Sequence, residues 1–206
     1  MTSDEFARTR NVSRETLDRL KLYADKLVQW NSKINLVSSS TLPQLWTRHF
    51  SDSAQLIDLA EPNARNWVDI GSGGGFPGMI IAILAAEVRP NLIVTCVESD
   101  QRKAAFLKTV IRETGIQGRV ESKRIEDLSP LRANVLSARA LAPLRELLGF
   151  ADQHLAPEGH ALFPKGANAR LELVEALEYW SFQADTYPSV TDANAVILKI
   201  GEIRRA

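Results

Sequence analysis

The most informative stretch of the 206-residue chain reads WVDIGSGGGFPG, residues 67–78. An apolar strand over residues 67–70 runs directly into a turn with four glycines in the five positions 71–75, and a helix is expected to start near Gly78. Glycines permit positive φ angles and let a ligand touch the backbone, which a Cβ would block. The stretch therefore predicts a ligand-binding turn at the carboxyl end of a strand.

One interpretation of this turn is a dinucleotide site. The spacing Gly73-x-Gly75-x-x-Gly78 matches the dinucleotide fingerprint, and Glu98 follows about twenty residues later, as an acceptor for the ribose of NAD would. A single match of this kind is weak evidence for a dinucleotide, so the residues of the turn have to be considered one by one.

Two features of the turn argue against a diphosphate. Pro77 removes a backbone N–H that would hold phosphate, and Asp69 places a carboxylate where a polyanion would be repelled. With the spacing Asp69-x-Gly71-x-Gly73-x-Gly75, the turn suits a positively charged ligand without phosphate. S-adenosylmethionine, which carries an ammonium and a sulfonium, is such a ligand, and these four residues are candidate cofactor contacts.

The next two strands supply further candidates. Glu98 ends the second strand and is predicted to accept both ribose hydroxyls, the alternative being a solvated acid that caps a helix. After the third strand, Ile125 and Glu126 are placed to hold an adenine ring, although Glu126 and Asp127 could equally be surface charges.

The rest of the chain predicts an α/β fold. Strand and helix patterns alternate after Pro62, which indicates a doubly wound sheet with its ligand site at the carboxyl ends of the strands. Residues 1–60 carry no strand pattern and are predicted to form an N-terminal helical extension, with helices over residues 13–30 and 41–59. Residues 61–206 are predicted to form the ligand-binding domain.

Composition limits the function classes. Lys+Arg and Asp+Glu both total 25, so the net charge is zero. A nucleic acid would therefore have to bind to a local basic face. Residues 123–124, 145, 165 and 204–205 would form such a face if they make one rim. Cys96 is the only cysteine, which excludes a disulfide framework, and no metal site is predicted. The start lacks a signal peptide and the longest apolar run, residues 79–86, is too short for a bilayer; we expect a cytoplasmic protein without membrane contact.

Several motifs, in this order along the chain, resemble the RsmG/GidB family. They are NLV (35–37), RHFSDS (48–53), GSGGGFPG (71–78), SARA (137–140) and KG (165–166), and they cover about residues 31 to 165. Phe76 stands where leucine is frequent, and Glu98 where aspartate is frequent. Members of the family are guanine-N7 methyltransferases of small-subunit ribosomal RNA that depend on S-adenosylmethionine.

The resemblance implies a class I, Rossmann-like methyltransferase with a mostly parallel seven-stranded sheet, acting as a monomer on 16S ribosomal RNA in the small ribosomal subunit. It also implies cofactor contacts from Gly71, Phe76, Ile125, Glu126 and Arg139.

The chemistry of the target atom is consistent with the residues present. Guanine N7 has an exposed lone pair and no proton to remove, so its methylation needs alignment and no general base. The segment LSARA, residues 136–140, lacks the acidic or amide residue followed by prolines that amino methylation uses. Cys96 belongs to the second strand, which is the wrong place for a nucleophile that attacks a pyrimidine.

Two basic residues are the candidate catalytic groups. Arg139, at the end of the fourth strand, is predicted to bind the methionine carboxylate or the incoming RNA, the alternative being an ion pair with Glu146 or Asp127. Lys165, after the fifth strand, is predicted to contact phosphate or base, the alternative being a solvated loop lysine.

Two other functions remain open at this stage. A small-molecule methyltransferase on the same fold predicts a closed apolar pocket over the methyl group. A non-catalytic nucleotide-binding assembly module predicts NAD in the glycine turn. For the ribosomal RNA methyltransferase, Arg48 and His49 in the helical extension are candidates for an RNA entrance.

Overall fold

The computed structural model describes all 206 residues. The α-helices are α1 (Ser3–Arg10), α2 (Arg14–Asn31), α3 (Asp52–Ala54), α4 (Gly78–Val88), α5 (Gln101–Thr114), α6 (Leu144–His154) and α7 (Ala169–Ala176). The strands are β1 (Asn66–Ile70), β2 (Ile93–Val97), β3 (Gly118–Glu121), β4 (Ala133–Ser137), β5 (Leu155–Lys165), β6 (Trp180–Pro188) and β7 (Val196–Arg205).

All seven strands form one sheet in the order β3-β2-β1-β4-β5-β7-β6. The pairs from β3 through β5 are parallel, and β7 runs antiparallel to both of its neighbours. The strand order reverses between β1 and β4, so a crevice opens at the carboxyl ends of these two strands. The predicted doubly wound, mostly parallel seven-stranded sheet is confirmed.

The N-terminal extension packs on one face of this sheet. Ser13 caps α2, as predicted, by accepting a hydrogen bond from the Thr16 amide. The apolar face of α2, with Leu20, Tyr23 and Leu27 fully buried, shares one core cluster with Trp67 of β1 and much of α4. The extension and the sheet are therefore stabilised by the same buried apolar surface.

Residues 41–59, predicted as a single helix, are helical but irregular. A 3-10 helix over Ser39–Gln44 is followed by a π-helix over Trp46–Ser51, the short α3, and a second 3-10 helix over Gln55–Leu59. π-helical turns are rare and occur mostly at functional sites. This one carries Arg48 and His49.

The sequence patterns do not predict two of the observed elements, α1 and β6. Helix α1 is held by a reciprocal capping box between Thr2 and Glu5 and buries only Phe6, so it has no apolar periodicity. Strand β6 lies at the sheet edge and buries only Trp180, so it lacks an alternating apolar pattern. None of the helices combines the length and the apolar character that crossing a membrane requires.

Candidate functional site

The glycine turn adopts the backbone conformation that its composition predicts. Gly71, Gly73 and Gly75 have φ angles of 63°, 56° and 99°, values that other residues rarely adopt. A Cβ at Gly75 would lie 2.7 Å from Tyr23 Oη and 2.8 Å from Met79 Cβ. The turn therefore needs glycine both for its backbone angles and for the close approach of its neighbours.

A residue of the extension supports the turn from below. The hydroxyl of Tyr23, on α2, donates a hydrogen bond of 2.5 Å to the carbonyl oxygen of Gly74, and both groups lie in the buried core. The apolar spacing predicts that Tyr23 lies on the apolar face of a helix. Nothing in the spacing indicates that its hydroxyl reaches a carbonyl fifty-one residues away.

Glu98 lies at the end of β2, and its side chain is tied to the turn. One carboxylate oxygen accepts a hydrogen bond from the Gly73 amide at 2.7 Å, and the other accepts one from the Asp100 amide at 2.8 Å. The residue is only 7% exposed, and the N-cap of α5 is Asp100. The solvated helix cap considered as an alternative is therefore wrong. A carboxylate can accept about four hydrogen bonds, so Glu98 retains acceptor capacity for a ligand.

Asp69 lies beneath the turn with no exposed surface. Its Oδ1 accepts a hydrogen bond of 2.7 Å from the Ser137 hydroxyl, which in turn accepts one of 2.8 Å from Trp67 Nε1. Its Oδ2 has no hydrogen-bond partner. Burial raises the pKa of Asp69 to about 6, although the bond from Ser137 opposes this shift. In this conformation of the turn Asp69 cannot contact a ligand directly. It can act on a ligand only through the electrostatic field of its carboxylate.

Of the remaining predicted cofactor contacts, Ile125 and Glu126 lie just after β3, whereas Phe76 lies in the buried core. Ile125 is buried and Glu126 exposed, in a 3-10 turn (Ile125–Asp127) that follows β3. Ile125 belongs to the same apolar cluster as Ile70 of β1 and Val97 of β2. Phe76, in contrast, is turned into the core of the extension, with its ring centroid 4.9 Å from that of His49.

These features fit an adenosine-type cofactor with a positively charged tail. The glycine turn, Glu98 and Ile125 follow β1, β2 and β3, which are neighbours in the sheet, so they share one edge. Two carboxylates border the turn, and no lysine or arginine side chain hydrogen-bonds to it. A Cβ at Gly71 would lie 2.5 Å from Leu141 Cδ1, so the segment after β4 covers the turn closely at this point.

Arg139 joins the glycine turn to the extension. Its guanidinium donates to His49 Nδ1 at 2.8 Å and to Asp52 Oδ2 at 3.3 Å, and lies 4.9 Å from the centroid of the Phe76 ring. The ion-pair partner of Arg139 is therefore Asp52, and the alternative of an ion pair with Glu146 or Asp127 is wrong. Asp52 lies in the sequence motif RHFSDS, but the pairing becomes visible only when the extension is packed against β4.

His49 is neutral at pH 7 in this arrangement. Burial, followed by the nearby charges of Arg139 and Arg48, lowers its pKa to about 4. Nδ1 then accepts the hydrogen bond from Arg139, and Nε2 lies 2.9 Å from Thr41 Oγ1. The ring orients the guanidinium.

Lys165 is neither solvated nor part of a single basic rim. Its side chain is 9% exposed, and Nζ lies 2.7 Å from Glu172 Oε2 and 3.2 Å from the Ala142 carbonyl oxygen. In the sheet Lys165 pairs with Val196, at the start of β7, whereas Arg204 and Arg205 lie at the far end of that strand. Because β7 is antiparallel to β5, those two arginines are at the opposite end of the sheet, so the basic residues named above do not form one rim.

A cavity of about 960 Å³ lies beside the glycine turn, over the carboxyl ends of β4 and β5 and the start of β7. Arg139 and Lys165 both line it, together with Arg48 and His49 of the extension. No residue of the glycine turn lines it. The sheet thus carries two adjacent sites, and Arg139 lies at their border.

The 206 residues contain no group of three or more His, Cys, Asp or Glu side chains arranged to hold a metal ion. The single thiol, Cys96, is buried, and burial raises its pKa strongly.

Known structures share this fold. A putative O-methyltransferase from Klebsiella pneumoniae superimposes with a TM-score of 0.61 at 13% identity, covering 96% of this chain and 94% of that one. An O-methyltransferase from Bacillus cereus, in complex with SAH, gives a TM-score of 0.57 at 13% identity and covers 87% and 90%. At these identities the likeness establishes the class of fold alone.

Sequence relatives are much closer. A protein of Ruegeria pomeroyi named ribosomal RNA small subunit methyltransferase G is 55% identical over 199 residues, which is 97% of both chains. A protein of the same name from Paramagnetospirillum magneticum is 48% identical over 205 residues, covering 100% of this chain and 98% of the relative. The GidB family, described as rRNA small subunit methyltransferase G, matches residues 16–198. The chain belongs to the GidB family.

Proposed function

We propose that the protein transfers a methyl group from S-adenosylmethionine to N7 of a guanine in 16S ribosomal RNA. The observation that carries this proposal is the position of Arg139, which contacts the glycine-turn residue Phe76 and also lines the adjacent cavity. A donor held at the turn and a base held in the cavity would meet beside this guanidinium. Membership in the GidB family supports the ribosomal target.

The cofactor would be held by residues of the first three strands. Glu98 would accept hydrogen bonds from the ribose hydroxyls, Ile125 and Glu126 would border the adenine, and the backbone of Gly71 and Gly73 would approach the methionine portion. Asp69, buried beneath the turn, would favour a cationic ligand through its charge. When bound, S-adenosylmethionine supplies a methyl group activated by the sulfonium.

The chain's own residues have only to position the acceptor. Guanine N7 carries a lone pair and no proton, so no general base is needed, and His49 with its pKa lowered to about 4 is suited to orienting Arg139. Cys96 is buried and its thiol pKa is raised by burial, which argues against covalent attack on a pyrimidine. Alignment of two reactants in adjacent sites is the catalytic device that remains.

The substrate is proposed to be the small ribosomal subunit or a partly assembled form of it, approached by a monomer in the cytoplasm. The chain has no net charge, so shape contacts with a folded particle would have to supplement local phosphate contacts.

The two competing functions receive less support. A small-molecule methyltransferase would enclose its substrate in an apolar pocket, but most of the residues that line the cavity are not hydrophobic. A dinucleotide-binding assembly module would be expected to present donors to a diphosphate, yet the turn is bordered by Asp69 and Glu98.

The direct test is to incubate the protein with a labelled methyl donor and small ribosomal subunits from a strain that lacks it, and then to map the modified base. Label at N7 of one guanine is the expected result. Calorimetry with S-adenosylmethionine and NAD is the companion measurement. Tight binding of NAD with no response to the methyl donor would contradict the proposal.

A further inference from the structure

The cavity beside Arg139 is lined by four acidic residues, of which only one is both fixed and incompletely used. Asp52 has no spare oxygen, because Oδ2 faces Arg139 while Oδ1 accepts from Thr191 Oγ1 at 2.9 Å and from Gln55 Nε2 at 3.0 Å. Glu175 and Asp192 are exposed at the cavity edge. None of these three combines a fixed carboxylate with an oxygen that accepts no hydrogen bond.

Glu172, on α7, is the fourth. Its Oε2 accepts hydrogen bonds from the Leu144 amide at 2.8 Å and from Lys165 Nζ at 2.7 Å, and its side chain is only 23% exposed. Its Oε1 accepts no hydrogen bond from the protein. The carboxylate is therefore held in the cavity wall, and its Oε1 is free to accept up to two hydrogen bonds from a ligand.

Lys165 has one unused donor beside that oxygen. An ammonium carries three N–H donors, and two of them are directed to Glu172 and to the Ala142 carbonyl. The pair thus offers a ligand one cationic donor next to an anionic acceptor, with both groups lining the same cavity.

This pattern complements the Watson–Crick edge of guanine. That edge presents the O6 acceptor followed by two donors, N1–H and N2–H, and adenine presents a donor where guanine has O6. Cytosine and uracil also lack two adjacent donors. With this edge engaged, N7 on the opposite side of the ring stays free to face the methyl donor.

We propose that Glu172 recognises the N1–H and N2–H groups of the target guanine, with Lys165 on O6; this inference rests on the proposed function. In the transfer a bond forms from guanine N7 to the methyl carbon as the sulfur–methyl bond breaks, which leaves positive charge on the purine and a neutral thioether. The charge makes N1–H a stronger donor, so the hydrogen bond to Glu172 strengthens as the reaction proceeds. Glu172 therefore contributes to kcat as well as to base selection.

The first experiment uses the unaltered protein and small subunits reconstituted with guanosine or inosine at the mapped target position. Inosine keeps N7, O6 and N1–H but lacks the N2 amino group. We expect kcat/KM for the inosine subunits to be at least 10-fold lower. Equal rates on the two substrates would overturn the inference while leaving the proposed function intact. Absence of methylation on guanosine subunits would instead overturn the proposed function.

The second experiment compares Glu172→Ala with the control Glu178→Gln, an exposed acid just beyond α7 that does not line the cavity. Glu172→Ala is expected to lower kcat/KM on guanosine subunits at least 100-fold, chiefly through kcat. The ratio of kcat/KM on guanosine subunits to kcat/KM on inosine subunits should then be close to one. The control should keep both the rate and the ratio. A Glu172→Ala enzyme that still discriminates would show that the residue only supports the fold; should this variant not fold, the inosine ratio of the unaltered protein decides.

Discussion

The two halves of the site differ in how the chain builds them. The proposed cofactor half consists of one continuous stretch, residues 67–78, and the residues that follow β2 and β3. The cavity half is assembled from four separated segments of the chain, which lie within residues 41–52, 138–147, 164–175 and 189–197. A local motif is enough to specify the first, whereas the second exists only after the extension and the antiparallel strands have packed.

The largest expected effect comes from the residue at the border of the two halves. Arg139→Ala should reduce turnover on small subunits about 1000-fold, corresponding to roughly 4 kcal/mol, because an oriented cation beside the reacting atoms is lost. Affinity for S-adenosylmethionine, measured by calorimetry, should fall much less. Arg119→Ala, an exposed arginine on β3, is the control. Normal turnover in a folded Arg139→Ala protein would show that the residue only ties Asp52 in place.

Gly75→Ala tests whether the cofactor half is as tightly built as its geometry indicates. The added methyl would meet Tyr23 Oη and Met79 Cβ at a φ of 99°, so we expect the free energy of unfolding to fall by about 3 kcal/mol. Urea denaturation measures this change. Gly166→Ala is the control, because its Cβ would meet no atom within 4 Å. Equal losses in both variants would contradict the close packing of the turn.

Asp69→Asn tests the buried carboxylate through pH. The folded-state pKa of about 6 exceeds the ordinary value of 3.8, so between these values the folded protein keeps a proton that the unfolded chain has released. The free energy of unfolding of the unaltered protein should therefore decrease as pH rises from about 4 to 6, by at most about 3 kcal/mol. The variant should lack this decrease. Parallel stability curves for the two proteins would show that folding does not raise the pKa of Asp69.

Glu98→Ala has the smallest expected effect. It removes the proposed ribose acceptor and the hydrogen bonds to the Gly73 and Asp100 amides, so affinity for S-adenosylmethionine should fall by about 2 kcal/mol. Calorimetry measures this loss, with the exposed Glu158→Ala as control. Unchanged affinity would remove Glu98 from the cofactor half.

The sequence was sufficient for the parts of the molecule that depend on local patterns. Apolar periodicity, glycine spacing and capping predict the glycine turn, the helix after Ser13 and the succession of strands β1 to β5 along the chain. The family resemblance is confirmed, and the cofactor contacts at Glu98, Ile125 and Glu126 stay predictions.

What local patterns could not supply was the set of long-range partners. The bond from Ser137 to Asp69 and the pairing of Arg139 with Asp52 each join residues more than sixty positions apart. The sequence leaves Lys165 open between a substrate contact and a solvated loop lysine, because only the packing of α7 brings Glu172 against it. Such contacts depend on the register of strands and the packing of whole elements, which a single sequence does not encode in its spacing.

The bond from Tyr23 to Gly74 has a consequence for how the chain can be divided. A fragment beginning at residue 61 would lack the only protein donor to that carbonyl and would uncover the apolar face of α4. Although residues 61–206 contain every strand, they would not retain an intact ligand turn on their own. The first sixty residues therefore support the glycine turn from within the core, and we expect a fragment that lacks them to lose affinity for S-adenosylmethionine.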